Sequence, residues 1–501
     1  MSHRIWALAV VIMLLFVLVA VQSSWVQLFH AQALDNSPIN PRNNVSSDQY
    51  DRGGIYAANG AVLARSIATS SKSNPWRRIY PFGSLTSNVV GFTSSEYGDW
   101  YLEVEYNKYL ESHREPPQSF EQLLAPSMGT DSLNITLEPA LQQLARTELA
   151  GRDGSVVVLD PRSGAVLALY SNPTFNPKPF TSVHPSEQTA AWKKDNRKDA
   201  DGYPPLGLVA TEQTIFPGST FKIVTTAGIV KYKPSLLTKR YPSMTYTKLP
   251  DTTNLLHNDG GEPCGGTVAE MLPSSCDPGY GLLGLALGAQ DLTNMANAFG
   301  FNEIPPLDLP GGVPSFFPKE ANLAANPPFL AYSAIGQEDV SVTALQDALV
   351  AAAIANDGII MTPHLMNYIS SPEGKTVIRY KDSEWKAPLS AVQAATIVPL
   401  MEDVVKYGTA AEVGFLPADD VAAKTGTAQV GDNLKNDTDD WMIAFAPADD
   451  PTVAIAVSVP FQTFSATGAE VAGPITKCLI EGTLALQAHL PVTGTATTCP
   501  A

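Results

Sequence analysis

The sequence predicts a multi-domain α+β protein with an N-terminal membrane anchor, a small mixed module, and a larger domain whose antiparallel sheet is flanked by helices. Three observations support this prediction. The 501 residues exceed what one hydrophobic core usually organises, so at least two globular units are expected. The chain begins with a long apolar run that carries no charge. Beyond it, short strand patterns joined by turn residues alternate with helical patterns.

Composition argues against two classes of protein. The formal net charge of -17 and the pI near 4.8 argue against a nucleic-acid partner, because that role needs a basic face. With 44% apolar and 16% charged residues, the bulk of the chain is globular rather than disordered. No cluster of His and Cys has metal-ligand spacing, so we expect no metal and no cofactor.

The first element is the uncharged run over residues 5–26. At about 1.5 Å per residue, a helix of this length covers the roughly 30 Å of hydrocarbon in a bilayer. Arg4 precedes the run and the next cation is Arg42, so the positive-inside rule leaves a cytoplasmic tail, residues 1–4. Ala31-Gln32-Ala33 resembles a signal cleavage site, but the run is longer than the roughly 7 to 15 residues of a signal peptide core. We therefore predict a retained single-pass anchor in the cell membrane, with the catalytic domain extracytoplasmic.

The second element is a linker and N-terminal module, predicted over residues 27–150. Residues 34–50 are polar and rich in Asn, Ser and Pro, as is typical of a membrane-proximal linker. Asn59-Gly60 lies between two short apolar runs, which is the strongest short signal for a β-hairpin. A strand pattern and a helix with apolar residues at helical spacing, from Leu141 to Leu149, complete the module.

The third element is the larger domain, predicted over residues 151–487 and followed by a tail, residues 488–501. A hairpin around the turn Pro161-Arg162-Ser163-Gly164 opens it. Near its end, the segment VAAKTGTAQV and two apolar runs around the turn Ala448-Asp449-Asp450-Pro451 have strand patterns. These three strands are enough for an antiparallel sheet.

Four cysteines fit an oxidising compartment, where disulfides persist. Cys264 and Cys276 are close in sequence, as are Cys478 and Cys499, so local pairing is the simplest interpretation. Four cysteines allow three pairings, and buried free thiols are a further alternative. A link between Cys264 and Cys276 would stabilise the fold by about 3 kcal/mol in the chain-entropy model.

The first candidate for chemistry is the segment PGSTFKIVT. Pro217 and Gly218 interrupt the chain just before a helical pattern over residues 220–230, so Ser219 opens a helix. Ser219 and Lys222 then share one helix face. A serine needs a base to act as a nucleophile, and the amine is within reach. An N-cap serine beside a surface lysine is the ordinary alternative, because this spacing also arises by chance.

Two later motifs supply what an acyl-forming serine enzyme also needs: a proton relay and a polar strand edge beside an oxyanion site. Ser275 and Asp277 form a Ser-x-Asp triplet after a short helix predicted over Val268–Leu272. Lys424-Thr425-Gly426-Thr427 lies on a predicted strand, where the glycine allows a substrate backbone to approach closely. Each residue alone is equally consistent with a surface or strand-edge position.

In this order, S-x-x-K at Ser219, an S-x-N-like triplet at Ser275 and K-T-G at Lys424 resemble the penicillin-recognising enzymes. The segments RGGIYAANG, VVVLDPRSGAVLALYSNPTFNP and AAAIANDGIIMTPHL extend the resemblance over most of the chain to the class B, high-molecular-mass penicillin-binding proteins. The predicted anchor, the compact module and the Ser-Cys-Asp triplet are most similar to the penicillin-binding protein A group of actinobacteria. The segment between the anchor and the larger domain is too short for the glycosyltransferase domain of class A enzymes.

The resemblance implies a penicillin-binding transpeptidase domain with a serine β-lactamase-like fold, and peptidoglycan DD-transpeptidation through an acyl-enzyme. Ser219 would attack the penultimate D-Ala of a stem peptide and release the terminal D-Ala. The acyl group would then pass to an amine of a neighbouring stem, and β-lactams would acylate the same serine. The backbone N–H groups of Ser219 and Thr427 would form the oxyanion hole.

The resemblance also assigns roles to the other motif residues. Lys222 would be the base, and Ser275 would relay the proton to the departing amine. Lys424, Thr425 and Thr427 would hold the carboxylate of the substrate. Expected partners are stem peptides, β-lactams and membrane-bound cell-division or elongation proteins. A DD-carboxypeptidase or endopeptidase and a low-turnover β-lactam-binding divisome scaffold remain alternative functions.

One position departs from the family pattern, because Asp277 stands where the family usually has Asn. Asn can donate a hydrogen bond to a substrate carbonyl, whereas ionised Asp can only accept. A carboxylate beside Lys222 would also favour the charged amine, unless it is protonated, turned away or balanced by Lys424. We therefore expect Asp277 to slow acylation, and we expect the link between Cys264 and Cys276 to fix the position of the triplet.

Overall fold

The computed structural model of the protein describes residues 2–25, 50–111, 113–114, 128–197, 202–430, 438–463, 465–490 and 492. A helix, Ser2–Trp25, covers most of the predicted anchor segment. None of the helices in these ranges combines the length and the apolar character that crossing a membrane requires. Cys499, the predicted partner of Cys478, lies outside the described residues, so that pairing remains a prediction.

The N-terminal module is built on a six-stranded sheet. The predicted hairpin at Asn59-Gly60 is confirmed, because Ile55–Tyr56 pairs antiparallel with Val62–Ala68. One neighbour comes from far along the chain, since Met366–Ser370 pairs with Ser132–Ile135. The sheet is therefore completed by residues that follow the start of the larger domain. Its strand order is Thr376–Arg379, Met366–Ser370, Ser132–Ile135, Ile55–Tyr56, Val62–Ala68 and Trp76–Ile79.

A buried ion cluster stabilises this module. Glu103 is fully buried, and its carboxylate lies 2.8 Å from Arg52 Nε and 2.7 Å from Arg78 Nε. Burial opposes the charge on Glu103, but the two guanidinium groups outweigh it and lower its pKa. Arg78 also donates to the carbonyl groups of Arg52 and Gly53. The cluster thus ties the edge strand Trp76–Ile79 to the segment that enters the sheet.

The larger domain is built on a five-stranded sheet in which all neighbouring strands are antiparallel. The predicted hairpin at Pro161-Arg162-Ser163-Gly164 is confirmed, and so are the three strands predicted around Lys424. The strand that carries Lys424 lies at one edge, so among the described strands only one of its sides is paired. The order is Val166–Asn172, Gly154–Leu159, Val453–Gln462, Thr438–Ala446 and Ala422–Gln429.

Helices cover both faces of this sheet, since every residue of Thr438–Ala446 is buried. Gly468–Gln487 packs on Thr438–Ala446, Val453–Gln462 and the helix Pro139–Leu149, and Ala344–Ala355 packs on the same two strands. The other described helices are Ser87–Val90, Leu102–Glu105, Asn107–Leu110, Pro185–Asp195, Val209–Glu212, Lys222–Tyr232, Val268–Met271, Asp277–Leu287, Ala289–Ala298, Glu320–Ala325, Pro327–Ser333 and Ala391–Lys406. Short strands outside the two sheets are Thr93–Ser94, Gly98–Asp99, His113–Arg114, Met128–Gly129, Tyr241–Met244, Tyr246–Lys248, Leu255–His257, Cys264–Gly266, Ile360–Met361 and Glu384–Lys386.

We expect Glu103→Gln to lower the free energy of unfolding by about 3 to 5 kcal/mol, because the substitution removes the buried carboxylate that Arg52 and Arg78 share, although Asp99 still contacts Arg52 at 3.3 Å. Chemical denaturation of the purified full chain measures the loss. Glu105→Gln, on the same short helix but exposed, is the matched control and should change stability by no more than about 0.5 kcal/mol. Equal losses in the two variants would contradict the stabilising role of the ion cluster.

Candidate active site

Ser219 stands on a 3-10 turn, Gly218–Phe221, directly before the helix Lys222–Tyr232. The α-helix therefore begins later than the sequence pattern predicted. The turn is tight because it passes close to the strand that carries Lys424. Gly218 has a φ of +54°, and a Cβ atom there would lie 2.7 Å from the carbonyl oxygen of Thr427. Only glycine satisfies both conditions without strain.

Lys222 is fully buried, and its Nζ contacts three polar side chains of the site. Nζ lies 2.9 Å from Ser219 Oγ, 3.2 Å from Ser275 Oγ and 2.7 Å from Asp277 Oδ1. Burial lowers the pKa of Lys222, and the charge of Asp277 opposes that shift. The amine can therefore donate as a cation or, when neutral, accept the proton of the Ser219 hydroxyl.

The Ser275 hydroxyl lies between two lysines. Its Oγ is 3.2 Å from Lys222 Nζ and 3.0 Å from Lys424 Nζ. Ser275 has a φ of +53° in the turn between the helices Val268–Met271 and Asp277–Leu287, a region that non-glycine residues seldom adopt. A hydroxyl can accept from one amine while it donates to another, so this geometry allows a proton to pass between them.

A disulfide between Cys264 and Cys276, the pairing favoured by the sequence, tethers the segment that carries this turn. Asp277 follows immediately, and its backbone N–H donates to Asn258 Oδ1 at 3.0 Å. The carboxylate of Asp277 is thereby held 2.7 Å from Lys222 Nζ. It faces the amine rather than turning away, which is the arrangement expected to favour the charged form of Lys222.

The strand Ala422–Gln429, called the lysine strand below, forms the opposite wall of the site. Lys424 is fully buried, and burial together with the charge of Lys222 holds its pKa well below its usual range. Gly426 allows the lysine strand to approach the turn Gly218–Phe221, called the serine turn below. A Cβ atom at Gly426 would lie 2.6 Å from the carbonyl oxygen of Pro217. The two lysines are thus brought to one hydroxyl by direct contact between backbones.

Two threonines of the lysine strand line the cleft. Thr425 Oγ1 lies 2.6 Å from Thr409 Oγ1, and Thr427 Oγ1 accepts the backbone N–H of Gly468 at 3.0 Å. Hydroxyl groups beside a buried amine can bind an anion through hydrogen bonds as well as charge. This wall is therefore suited to a carboxylate.

These groups meet in a cleft of about 230 Å³ that continues into a groove of about 630 Å³, and Ser219 and Thr427 line both. A larger groove, about 850 Å³, lies between the strand Trp76–Ile79 and the helix Pro185–Asp195, but none of the predicted site residues lines it. The structure brings together all of the predicted motif residues: Ser219, Lys222, Ser275, Asp277, Lys424, Thr425, Gly426 and Thr427.

Sequence reasoning missed six residues that also line the cleft: Asn258, Asp259, Ser274, Thr409, Thr467 and Ala469. Ala469 lies at the start of the helix Gly468–Gln487, Asp259 lies in a 3-10 turn, and the other four lie in loops. None belongs to the motifs, so neither periodicity nor spacing marks them. The one available signal is the Asn-Asp-Gly-Gly turn shortly before Cys264. A turn next to a cysteine predicts a tethered loop, and a tethered loop near a reactive serine is a candidate wall of its site.

The fold and site define a class of protein, and comparison with known families identifies it. A family model described as the penicillin binding protein transpeptidase domain matches residues 154–481, and one described as the penicillin binding protein A dimerisation domain matches residues 52–132. The first match covers more than half of the chain. The chain belongs to the penicillin-binding protein transpeptidase family.

Within that family, the chain is similar over nearly its whole length to penicillin-binding protein A. It is 35% identical over 502 residues to the peptidoglycan D,D-transpeptidase PbpA of Mycolicibacterium smegmatis, covering 97% of this chain and 99% of the relative. Identity to PbpA of Mycobacterium tuberculosis is 33% over 511 residues, with the same coverage.

Solved structures agree with this similarity. Penicillin-binding protein A from M. tuberculosis, as a ceftriaxone acyl-enzyme complex, superposes with a TM-score of 0.78 at 32% identity, covering 86% of this chain and 98% of the other. The penicillin G acyl-enzyme complex of the same relative gives 0.77 at 32% identity, covering 87% and 100%.

We expect Asp277→Asn to raise the acylation rate at neutral pH by about tenfold, because the loss of the carboxylate favours the free amine of Lys222. Stopped-flow labelling with a fluorescent penicillin between pH 5 and pH 9 measures this, and the rising limb of the rate profile should move to lower pH. Glu262→Gln, an exposed carboxylate in the segment just before Cys264, is the control. An unchanged profile for Asp277→Asn would show that this charge does not control the base.

We expect the double substitution Cys264→Ser, Cys276→Ser to slow acylation and to lower the free energy of unfolding by about 3 kcal/mol. The disulfide closes a loop with a sequence separation of 12 and holds the turn that presents Ser275. Labelling rate and thermal unfolding are measured together, with the single Cys264→Ala variant alongside. A double variant that loses stability but acylates at the wild-type rate would contradict the positioning role of the link.

Proposed function

We propose that this protein is a peptidoglycan D,D-transpeptidase that cross-links cell-wall stem peptides through an acyl-enzyme on Ser219, and that β-lactams acylate and inhibit it at the same residue. The observation that carries the proposal is the continuous set of contacts from Ser219 through Lys222 and Ser275 to Lys424 in one cleft. Similarity to named D,D-transpeptidases over 97% of the chain supports it. Relatives have been solved as β-lactam acyl-enzyme complexes, which supports the second part.

Acylation begins when Ser219 Oγ attacks the carbonyl carbon of the penultimate D-Ala. Lys222, in its neutral form, takes the hydroxyl proton across the 2.9 Å contact as the new C–O bond forms. The negative charge on the carbonyl oxygen is stabilised by the backbone N–H groups of Ser219 and Thr427. When the C–N bond breaks, the proton moves from Lys222 through the Ser275 hydroxyl to the departing amine, and the terminal D-Ala leaves.

The terminal carboxylate of the D-Ala-D-Ala end binds at Lys424, Thr425 and Thr427. An arriving carboxylate favours the charged form of Lys424, whose pKa burial otherwise holds low. A cation on Lys424 then disfavours a second cation on Lys222, because the two amines share one hydroxyl. Substrate binding therefore promotes the neutral, proton-accepting form of Lys222.

Transfer completes the reaction when an amine of a neighbouring stem peptide attacks the acyl carbon and Ser219 recovers its proton. The groove of about 630 Å³ that opens beside Ser219 provides room for this second peptide. If water attacked instead, the product would be a trimmed stem, and the protein would be a D,D-carboxypeptidase.

We propose that residues 5–26 anchor the chain in the cell membrane, with residues 1–4 in the cytoplasm and the catalytic domain outside. The uncharged run and the position of Arg4 support this arrangement, and so does a substrate located outside the membrane. The proposed domains are the linker and module over 27–150, the transpeptidase domain over 151–487 and the tail over 488–501. Membrane-bound cell-division or elongation proteins are the proposed partners.

We expect a fluorescent penicillin to form a stable adduct with the full chain and to form none with Ser219→Ala, because Ser219 Oγ lies 2.9 Å from the buried amine of Lys222, the base of the proposed mechanism. Intact mass and peptide mapping place the adduct. Ser274→Ala is the control, since this exposed serine lines the same cleft but donates to the carbonyl of Glu270. Labelling that persists in Ser219→Ala would exclude Ser219 as the nucleophile.

The acceptor is tested with a D-Ala-D-Ala-terminated stem peptide and a second stem peptide that carries a free amine. Mass spectrometry should detect the cross-linked product together with free D-Ala, and both should vanish in Ser219→Ala. Release of D-Ala without a cross-linked product would favour the carboxypeptidase. A stable penicillin adduct with no turnover of peptide would favour the alternative function, a low-turnover β-lactam-binding divisome scaffold.

A further inference from the structure

A buried carboxylate that the mechanism above does not use lies directly behind the lysine strand. Asp440, on the strand Thr438–Ala446, is paired across the sheet with Thr427. Directly paired residues of antiparallel strands project from the same face, so the two side chains are neighbours. Asp440 is fully buried, and its Oδ1 has no hydrogen-bond partner within the part of the chain that the structure describes.

The hydroxyl of Thr427 lies between this carboxylate and the cleft. Thr427 lines the cleft, its Oγ1 accepts the backbone N–H of Gly468 at 3.0 Å, and direct pairing across the sheet places its side chain beside that of Asp440. Thr438 Oγ1 lies 3.4 Å from Asp440 Oδ2, a long contact that leaves Asp440 with acceptor capacity for the neighbouring Thr427 hydroxyl. A hydroxyl has one hydrogen to donate. If that hydrogen goes to Asp440, none remains for a ligand in the cleft.

We propose that Asp440 is a positioning residue for carboxylate recognition: it decides whether the Thr427 hydroxyl donates inward to Asp440 or outward to the carboxylate of a D-Ala-D-Ala end or a β-lactam. Ionised Asp440 can only accept, so it takes the Thr427 hydrogen and leaves an oxygen lone pair facing the ligand carboxylate. Protonated Asp440 donates its own hydrogen to Thr427 Oγ1 and frees the Thr427 hydrogen for the ligand. This role rests on the proposed function, because it requires a carboxylate ligand beside Ser219.

The surroundings of Asp440 bring its titration into the working pH range. Burial raises the pKa of Asp440 to about 7, the charges of Asp439 on the same strand and Glu470 on the packed helix add to the rise, and hydrogen bonds from Thr438 and Thr427 oppose it. Asp440 is protonated below this pH and ionised above it. Recognition of the carboxylate is therefore strong at acidic pH and weakens as pH rises through neutrality.

The test compares two ligands that differ only in the carboxylate: benzylpenicillin and its methyl ester. The second-order rate of Ser219 acylation is measured by mass spectrometry for the full chain across pH 6 to pH 8.5. The ratio of the acid rate to the ester rate cancels the titration of groups that serve both ligands equally, such as Lys222. We expect the ratio to fall by about tenfold over this range, the loss of one hydrogen bond to a charged group.

The matched variants separate the role of Asp440 from that of its neighbours. Asp440→Asn cannot ionise, and its amide can donate to Thr427, so the ratio should stay high and lose most of its pH dependence. Asp439→Asn removes the adjacent carboxylate, which projects from the opposite face of the strand. The ratio should still fall with rising pH, but the fall should occur at lower pH, because the charge of Asp439 no longer raises the pKa of Asp440. Thr427→Val removes the hydroxyl, so the ratio of acid rate to ester rate should be low at every pH. Adding Asp440→Asn to this variant should not change the ratio further.

Three results would overturn the role. A ratio that falls with pH equally in wild type and Asp440→Asn would show that another group controls it. An effect of Asp440→Asn that persists in the Thr427→Val background would show that Asp440 does not act through Thr427. If Asp440→Asn fails to fold in thermal unfolding, a strong pH dependence of the ratio in Thr427→Val alone also overturns it. Absence of any Ser219 adduct in wild type would instead overturn the proposed function on which this role rests.

Discussion

Two fully buried lysines, Lys222 and Lys424, contact one serine hydroxyl, and their positive charges repel each other. The rest of the site holds the two amines together against this repulsion. Lys222 and Lys424 both contact Ser275 Oγ, and neither is exposed to water that would screen its charge. Such an arrangement holds only if the backbones on either side cannot separate. The glycines at 218 and 426 allow the serine turn and the lysine strand to touch, and the disulfide next to Ser275 tethers the third segment.

Carboxylates act at both ends of this cationic pair, and they act differently. Asp277 contacts Lys222 itself and shifts the balance of charge between the two amines. Asp440 touches neither lysine in the described contacts, and in our proposal it acts on the ligand through the hydroxyl of Thr427, its neighbour across the sheet. On these proposals, one carboxylate affects how readily Ser219 loses its proton, and the other affects how the carboxylate of the ligand is bound.

Local patterns were enough to predict the hairpin at Asn59-Gly60, the strands around Lys424 and the companions of Ser219, since turn chemistry, periodicity and motif order are all written in short segments. Pairing between distant segments cannot be predicted from such local patterns. Nothing in the sequence of Met366–Ser370 indicates that it pairs with Ser132–Ile135, because alternation predicts a strand but not its neighbour. Asp440 was missed for the same reason, since an acidic residue in an apolar strand gives no sign of the threonine opposite.

The six-stranded sheet of the N-terminal module, called the module sheet here, has a consequence for the order in which the chain folds. Its strands Ile55–Tyr56 and Ser132–Ile135 are synthesised early, but their neighbour Met366–Ser370 follows only after most of the larger domain. Contacts of such large sequence separation are slow to form, because a long loop must close before any pairing energy is gained. The first half of the module sheet therefore waits with an open edge, and an open strand edge is prone to wrong pairing. The strand Ser132–Ile135 therefore keeps an open edge until Met366–Ser370 has been synthesised and pairs with it.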